Sequence, residues 1–300
     1  MMVDNHHSWN GVLLIDEPMA KHTSWRVGGT ADYFYQPTDI DDLATFLRES
    51  DPSLPLTWLG LGSNLLVRDG GIRGIVIHIL SGMKSISLLE ETLVRVEVGV
   101  PSARVARFCA NSNLSGAEFL AGIPGLFGGA LTMNAGAFGG ETWQIVDSVE
   151  MMDRHGNRIQ RSVDDFSVDY RSVNRPENEW FVSANIRLKP GHSAESKSRL
   201  RDLLEKRNLS QPVGTANAGS VFKNPPGDFA ARLIDSCGLK GSRIGSAVVS
   251  GKHANFIINT GGSSAADIEA LIRHVQKVVA EKTGVELQTE VHIIGEAAND

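Results

Sequence analysis

Two glycine-rich stretches contain the residues best suited to binding a phosphate or a flat cofactor. The longer glycine stretch, Ser115 to Gly140, has eight glycines and a single charged residue, Glu118. Glycine accepts positive φ and, having no side chain, lets a ligand approach its backbone N–H directly. Because each interior glycine costs a helix about 0.5 to 1 kcal/mol relative to alanine, no stable helix is predicted here.

The shorter glycine stretch, Trp58 to Arg68, reads WLGLGSNLLVR, with a turn from Gly60 to Asn64 between two apolar runs. The turn offers backbone donors, a hydroxyl and an amide, but no lysine. Neither stretch contains the GxxxxGK[ST] of a Walker loop or a GxGxxG fingerprint between a strand and a helix. The two stretches predict a diphosphate site of another type, and a plain glycine-rich turn system in a β-rich domain is the alternative.

A third candidate site lies in the second half of the chain, in the polar cluster Asn217 to Pro225. Its small residues give an approaching ligand access to Ser220, while Lys223 supplies a charge and Asn224 an amide. Near the C-terminus, apolar and polar residues alternate from Leu287 to Ile294, as in a strand with one buried face. This alternation places Glu290 on the polar face, where it can point into a cleft.

Composition excludes several other classes of function. The 300 residues are 41% hydrophobic and 21% charged, which predicts a soluble globular protein of two domains. A net charge of −6 with interspersed signs argues against nucleic acid as the main partner, although local cations can still bind a small anion. Without an 18-residue apolar run or a signal peptide, the chain is predicted to be cytoplasmic.

The cysteines and histidines show no metal-binding or disulfide pattern. Cys109 and Cys237 are far apart in sequence and are predicted to be buried apolar residues. The nine histidines include no HExxH or comparable spacing, so no metal site is expected. His6 and His7 are interpreted as part of a flexible tail.

Local patterns predict the elements that position these residues. Residues 1–20 are expected to be a flexible leader, and residues 189–198, rich in Pro, Gly and Ser, a linker between domains. One predicted helix begins at Thr38, with Asp41 completing its N-terminal cap, and another begins after Pro101. A further predicted helix begins near Asp228 and is ended by Gly238, and a long one begins at Ser263 or Ser264. Predicted strands cover 31–36, 72–80, 93–100, 146–152, 158–163, 180–188 and 256–259, with a hairpin turn at His155-Gly156-Asn157.

Eight motifs in series give the sequence a specific resemblance. They are HTSWRVGG, GLGSNLL, GIPGLFGGALTMNAGAFGG, DYRSV, GSVFKNP, GLKGSRIG, KHANFIIN and TEVHIIG, and they extend in order from His22 to Gly295. Together they resemble the bacterial UDP-N-acetylenolpyruvoylglucosamine reductases. A single motif would be weak, but eight across both predicted domains leave little room for chance.

The resemblance implies an α+β fold with a noncovalently bound FAD. Residues 21–190 would form an FAD-binding domain of the vanillyl-alcohol-oxidase or PCMH type, with subdomains at about 21–80 and 81–190, and 199–300 a C-terminal substrate-binding domain. The implied cofactor-binding residues are Gly60, Leu61, Gly62, Ser63, Asn64 and Leu65 in the shorter glycine stretch, and Gly122, Ile123, Pro124, Gly125, Gly128, Gly129, Asn134, Ala135, Gly136 and Gly139 in the longer one.

The resemblance also implies a reaction. NADPH would reduce FAD, whose N5 would then deliver hydride to C3 of the enolpyruvyl group of a UDP-sugar, giving UDP-N-acetylmuramate for peptidoglycan. Ser220 would protonate C2, and Arg171 and Glu290 would stabilise the enolate; the glutamate does so only if it is protonated or acts through a neighbour. Tyr170, Lys223 and Asn224 would hold the UDP-sugar, and the protein is expected to be a monomer.

Two differences from the long form of this family indicate that the sequence belongs to its short form. All three tyrosines lie at or before Tyr170, so the tyrosine-bearing loop of the long form is missing. Domain movement, Arg207 or Arg243 would then cover the diphosphate. His292 stands where the long form commonly has arginine, and His253 either lines the nucleotide site or caps a strand.

Two alternative functions stay open. One is an FAD oxidase of the same superfamily that acts on another alcohol or sugar, reacts readily with oxygen and does not need Ser220. The other is a catalytically silent flavin- or nucleotide-binding regulator, against which the joint presence of Ser220, Arg171 and Glu290 argues.

Overall fold

The computed structural model describes residues 7–298 and has an α+β fold. Its contacts divide the chain into two units. Unit 1 contains residues 7–14, Phe34–Gly60 and Ile75–Leu203, and unit 2 contains Ile15–Tyr33, Leu61–Gly74 and residues 204–298. Two segments of the N-terminal half therefore belong to the same unit as the C-terminal third.

The strands follow one another as β1 (Val12–Pro18), β2 (Thr30–Gln36), β3 (Leu56–Leu59), β4 (Leu65–Val67), β5 (Ile72–His78), β6 (Ile86–Glu90), β7 (Leu93–Glu97), β8 (Leu114–Ser115), β9 (Gly136–Ala137), β10 (Gly140–Glu141), β11 (Val146–Asp153), β12 (Arg158–Ser162), β13 (Ser167–Asp169), β14 (Ser172–Asn174), β15 (Glu179–Arg187), β16 (Lys189–Pro190), β17 (Arg243–Ile244), β18 (Ala247–Val249), β19 (Ile257–Asn259) and β20 (His292–Ile294). The α-helices are α1 (Ile40–Glu49), α2 (Ser102–Asn111), α3 (Phe127–Thr132), α4 (Ser193–Ser210), α5 (Ala230–Ser236) and α6 (Ala265–Thr283).

Unit 1 contains a five-stranded antiparallel sheet of order β12-β11-β15-β7-β6. Apolar side chains of its central strands, such as Val96 and Met151, are fully buried. The predicted hairpin between β11 and β12 is confirmed, because the Asp153 carboxylate accepts the N–H groups of His155 and Asn157 and Gly156 has a φ of 75°. The order of the other large sheet is β1-β2-β5-β3.

Unit 2 packs one long helix, α6, on a core that includes Trp25, Val27 and Leu66 from the N-terminal half. The predicted start of α6 is confirmed, since Ser264 and Asp267 cap each other's backbone N–H groups. The Asp69 carboxylate also accepts the N–H groups of residues 265 and 266, at 2.9 Å each. These bonds satisfy donors that the first turn of a helix otherwise leaves without partners.

The predictions of a flexible leader and of a linker are wrong for the described residues. Residues 12–18 form β1, and the N–H of Gly11 donates to Asp42 Oδ1 at 3.2 Å; residues 1–6 lie outside the described range. Residues 189–190 pair with β8, and α4 begins at Ser193. The polar composition was misleading here because the buried Ser196 hydroxyl donates to the buried carboxylate of Glu118, at 2.6 Å.

Three smaller predictions are also wrong. The cap of α1 is Asp39 instead of Thr38, and its side chain accepts the N–H of Asp42. The longer glycine stretch does contain a helix, the six-residue α3. The predicted strand 287–294 is regular only over β20, while Thr289 forms an isolated bridge to Phe222.

Cys109 and Cys237 are free thiols and both are buried, as predicted, and burial raises the pKa of Cys109 to about 12. His7 stacks on Trp9, with the ring centroids 3.5 Å apart, and His6 lies outside the described residues.

Within residues 7–298, no helix has the length and apolar character that crossing a membrane requires. In the same part of the chain, His, Cys, Asp and Glu form no group of three that could hold a metal ion.

Candidate active site

The longer glycine stretch packs in unit 1 against the chain that leaves β7. The N–H of Phe127 donates to Val100 O at 2.8 Å, and the N–H of Gly128 donates to Val98 O at 3.0 Å. A Cβ on Gly128 would lie only 2.8 Å from the Val98 Cβ, closer than two carbon atoms normally approach. Glycine at 128 is therefore required by packing within the protein.

Other glycines of the same stretch border open space. Apart from the adjacent residues and, at Gly129, the backbone of its own helix, no atom of residues 7–298 lies within 4 Å of the position that a Cβ would take at Gly129 or Gly139. At Gly60, in the shorter stretch, a Cβ would meet the Leu126 side chain at 3.4 Å, so this glycine lies beside the start of α3. Accessible, uncharged backbone of this kind fits a flat, phosphate-bearing group such as FAD, which needs close approach to backbone donors.

Asn134 supports the glycine stretch from inside. The residue is 2% exposed, and its side-chain amide nitrogen donates to Glu141 Oε2 at 3.0 Å and to Asp169 O at 3.2 Å. Its side-chain oxygen accepts the N–H of Trp143 at 3.1 Å. The side chain predicted to contact the cofactor is thus engaged within the protein, where it fixes the backbone of the stretch.

Arg171 occupies the two-residue turn between β13 and β14, with a φ of 55°. Its guanidinium donates to Gly136 O at 2.9 Å and to Asn134 O at 3.4 Å. The guanidinium carbon also lies 5.0 Å from the ring centroid of Tyr170, whose side chain is exposed. The predicted catalytic arginine is therefore bound directly to the longer glycine stretch.

Ser220 lies in unit 2, directly before Val221 and Phe222, whose backbone forms hydrogen bonds and an isolated bridge with residues 289 and 290. Gly219, before Ser220, has a φ of 75°, and its N–H donates to Asn217 Oδ1 at 3.0 Å, which forms a tight turn. The side chain of Ser220 is half-buried. The positive φ of Gly219 is strained for residues with a side chain, so the turn that presents Ser220 depends on glycine.

Glu290 lies on the segment that pairs with residues 221 and 222. Its N–H donates to Val221 O at 2.8 Å, and the N–H of Lys223 donates to Gln288 O at 2.9 Å. From the other side, the Asn64 side-chain amide donates to the Glu290 carbonyl at 3.0 Å. Unit 2 thus brings the backbones of Ser220 and Glu290 together, and it gives Asn64 a supporting position that its place in the shorter glycine stretch did not predict.

The predicted substrate residues of unit 2 lie near the same pair of segments. The side-chain oxygen of Asn224 accepts the N–H of Ala230 at 3.1 Å, at the start of α5. Partial burial, followed by the charge of Lys223, lowers the pKa of His292. Lys223 is therefore close enough to His292 to favour the neutral form of the imidazole.

His253 does not act as a strand cap through its side chain. Its ring packs edge-on against Phe256, with the centroids 4.8 Å apart, and burial lowers its pKa. Its buried Nδ1 has no hydrogen-bond partner among residues 7–298. The backbone carbonyl of His253, by contrast, accepts the N–H of Phe256 at 3.1 Å.

Comparison with known proteins gives two matching domain profiles. Residues 31–161 match an FAD binding domain, and residues 211–294 match the C-terminal domain of UDP-N-acetylenolpyruvoylglucosamine reductase. The curated UDP-N-acetylenolpyruvoylglucosamine reductase of Methylococcus capsulatus is 55% identical over 287 residues, covering 96% of this chain and 94% of the relative. That of Alkalilimnicola ehrlichii is 53% identical over 297 residues and covers 99% of both chains.

Solved structures agree with this result. The crystal structure of the reductase MurB from Thermus caldophilus superposes with a TM-score of 0.81 at 31% identity, covering 95% of this chain and 98% of the other. The 6-hydroxy-D-nicotine oxidase of Arthrobacter nicotinovorans has a TM-score of 0.58 at 13% identity, covering 95% of this chain and 90% of the other. At that identity, the oxidase supports the shared fold alone.

The fold and the FAD binding domain define this protein as an FAD-dependent oxidoreductase. More specifically, the chain belongs to the UDP-N-acetylenolpyruvoylglucosamine reductase family. The resemblance inferred from the eight motifs, the α+β fold class and the FAD cofactor are confirmed.

Proposed function

We propose that this chain reduces the enolpyruvyl group of UDP-N-acetylglucosamine enolpyruvate to give UDP-N-acetylmuramate for peptidoglycan, with Arg171, Ser220 and Glu290 as its catalytic residues. The observation that carries the proposal is the pairing of the Ser220 and Glu290 segments in a member of this family. The proposed cofactor domain near 21–190 contains the FAD binding profile at 31–161, and the proposed substrate domain near 199–300 contains the C-terminal profile at 211–294.

When bound, FAD supplies the hydride that adds to C3 of the enolpyruvyl group, after accepting it from NADPH. The residues proposed to hold FAD noncovalently include the open backbone positions Gly129 and Gly139 of the longer stretch and, in the shorter stretch, Gly60 beside Leu126. Gly128 and Asn134 contribute to binding by shaping the backbone, because their contacts lie within the protein.

Ser220 donates the proton to C2 in this proposal. An alcohol is a weak acid, but an enolate is a strong base, so a hydroxyl held within about 2.6 to 3.2 Å of the carbon can protonate it. The turn at Gly219 and the pairing of the next residue, Val221, fix the backbone that carries this hydroxyl. Positioning of this kind is the main contribution that the chain makes to proton transfer.

Arg171 and Glu290 stabilise the charge that develops on C2 and the adjoining carboxylate. Arginine suits this role because its planar guanidinium forms charge-assisted hydrogen bonds with carboxylate oxygens. A protonated Glu290 would donate a hydrogen bond to the enolate oxygen, and an ionised one would act through a neighbouring donor. Removing a contact of this type typically costs about 2.7 to 4 kcal/mol of transition-state stabilisation.

Tyr170, Lys223 and Asn224 are proposed to bind the UDP-sugar, with the lysine facing its anionic part. Tyr170 and Asn224 are both exposed residues, which makes them accessible to a ligand. The proposed enzyme is a cytoplasmic monomer, a state that a sedimentation experiment would test.

The test of this function is product analysis. The protein is incubated with NADPH and the enolpyruvyl UDP-sugar without oxygen, and both NADPH consumption and the mass of the sugar are followed. The proposal predicts consumption that depends on the sugar and a product heavier by the added hydrogens. A parallel incubation with oxygen tests the alternatives: NADPH consumption that requires oxygen instead of the sugar would favour an oxidase, and a protein that binds flavin but consumes NADPH in neither incubation would be a regulator.

A further inference from the structure

Asn255 holds both sides of the backbone at Phe222. Its side-chain oxygen accepts the Phe222 N–H at 2.9 Å, and its amide nitrogen donates to the Phe222 carbonyl at 2.8 Å. Its own backbone carbonyl accepts the N–H of Val221 at 2.9 Å. Three hydrogen bonds thus join one residue to the two that directly follow Ser220.

These bonds are shielded from water. Asn255 is 4% exposed, and Val221 and Phe222 are buried. In such surroundings a lost partner is not replaced by solvent, so a buried backbone group left without one is costly. Asparagine is suited to this position because a single amide group offers one donor and one acceptor in a fixed geometry.

The segment held by Asn255 also carries the contacts to Glu290. The Val221 carbonyl accepts the Glu290 N–H, and Phe222 forms its bridge with Thr289. Residues 221–222 therefore lie between Asn255 on one side and residues 289–290 on the other. A shift of this segment would displace Ser220 and the backbone support of Glu290 together.

We propose that Asn255 is a positioning residue for the protonation step, acting through the backbone of residues 221 and 222 on Ser220 and Glu290. This inference rests on the proposed function. It assigns a role to Asn255, one of the two asparagines of the KHANFIIN motif, which has no part in the chemistry itself. A displacement of about 1 Å in a reacting group can lower a rate about 100-fold, so the effect of removing Asn255 should be measurable.

The test separates the two half-reactions of the flavin-loaded enzyme by anaerobic stopped-flow absorbance. Asn255→Ala removes both side-chain bonds, and Asn255→Asp keeps the shape and the acceptor but loses the donor. Asn259→Ala is the matched control, because Asn259 also lies in unit 2 and also holds backbone, donating to the Trp25 carbonyl at 2.8 Å and accepting the Gly261 N–H at 2.9 Å.

The expected result is a selective defect. In both Asn255 variants, recovery of flavin colour with the enolpyruvyl UDP-sugar should slow about 100-fold, with an increased solvent isotope effect, while bleaching by NADPH stays within about twofold of the native rate. The Asn259 variant should leave the ratio of the two rates unchanged. If the native enzyme recovers its colour with the sugar, the proposed function is supported, and this result does not depend on the behaviour of the variants.

Two results would overturn the proposal for Asn255. One is recovery at the native rate in Asn255→Asp or Asn255→Ala; the other is an equal loss in both half-reactions, which is what a merely structural residue would cause. If Asn255→Ala yields no folded protein, Asn255→Asp decides the question. If both variants fail to fold while the control folds, the residue is structural and the proposal is wrong.

Discussion

The backbone N–H of Glu290 donates a 2.8 Å hydrogen bond to the carbonyl of Val221, the residue that follows Ser220. Ser220 and Glu290, which are 70 positions apart in sequence, are thereby held on paired segments of the same unit. This pairing supports the proposal that Ser220 and Glu290 act in the same step of the reaction.

Replacing the hydroxyl of Ser220 should affect only proton delivery. Ser220→Ala is expected to slow the recovery of flavin colour with the enolpyruvyl UDP-sugar by about 10²- to 10⁴-fold, the usual contribution of a general acid. Bleaching by NADPH should be unchanged, because this step has no need of the hydroxyl. Stopped-flow absorbance without oxygen measures both steps, and an equal effect on the two would argue against an acid role.

Arg171→Lys should be a poor substitution although it keeps the charge. Lysine cannot reproduce the guanidinium fork that donates to Gly136 O and Asn134 O, nor its planar pairing with a carboxylate. The rate of the sugar-dependent step is expected to fall about 10²- to 10³-fold. Flavin content, read from the ratio of visible to ultraviolet absorbance, should stay near the native value. Native turnover in this variant would show that charge alone is sufficient.

Two adjacent glycines should respond differently to alanine. Gly128→Ala places a Cβ 2.8 Å from Val98 Cβ, and overpacking of this kind typically costs about 1 to 3 kcal/mol of stability. At Gly129→Ala the added Cβ meets no residue of 7–298 within 4 Å outside its own helix, so the flavin-free protein should be at least as stable as the native protein and up to about 1 kcal/mol more stable, because alanine favours the helix α3. If Gly129 borders the cofactor, its alanine variant should nevertheless bind less FAD. Thermal unfolding of flavin-free protein and an FAD titration test the pair, and equal FAD affinity in native protein and Gly129→Ala would contradict the assignment.

The ion pair of Glu269 predicts an acid-dependent loss of stability in unit 2. Hydrogen bonds from Arg68 at 2.9 and 3.0 Å hold the pKa of the Glu269 carboxyl below its ordinary value of 4.5. Because the pKa is lower in the folded state, the contribution is fully present above pH 4.5 and is lost as the pH falls through the folded-state pKa.

Urea unfolding at a series of pH values from neutral downward checks this expectation. Glu269→Gln should be less stable than the native protein at neutral pH and should lose less stability below pH 4.5. Glu281→Gln, on an exposed part of the same helix, is the control and should follow the native pH dependence. Parallel curves for the native protein and Glu269→Gln would show that the pair does not contribute.

Features encoded by neighbouring residues could be predicted from the sequence. The capping box of Ser264 and Asp267 involves two residues of one turn, and the hairpin at Gly156 is a local turn signal. The eight motifs also identified the family, because each is a short continuous string. Such signals depend on backbone preferences that act within a few residues and so survive without knowledge of the fold.

Features that depend on distant residues could not be predicted in this way. The start of α6 is also capped by Asp69, and the Glu290 carbonyl is bound by Asn64. The expected linker contains part of a helix because Ser196 finds a buried partner in Glu118. In each case the contact joins residues that are distant in sequence, and composition alone gives no indication of it.

The cofactor-binding residues predicted from the sequence also differ in their contacts within the protein. Gly129 and Gly139 border open space, as a ligand-binding glycine should, whereas the Asn134 side chain is occupied within the protein. A motif gives the residue type at a position, but it does not distinguish a residue that touches a ligand from one that holds the backbone behind it. Asn255 is the clearest example, because its role is suggested by its contacts with Val221 and Phe222 and by no feature of the sequence.

The central claim is tested most directly by an anaerobic titration of the native protein in which flavin absorbance is followed. The native protein should be yellow, bleach with NADPH and recover its colour when the enolpyruvyl UDP-sugar is added. A bleached flavin that stays colourless with the sugar and recovers only with oxygen would contradict this claim.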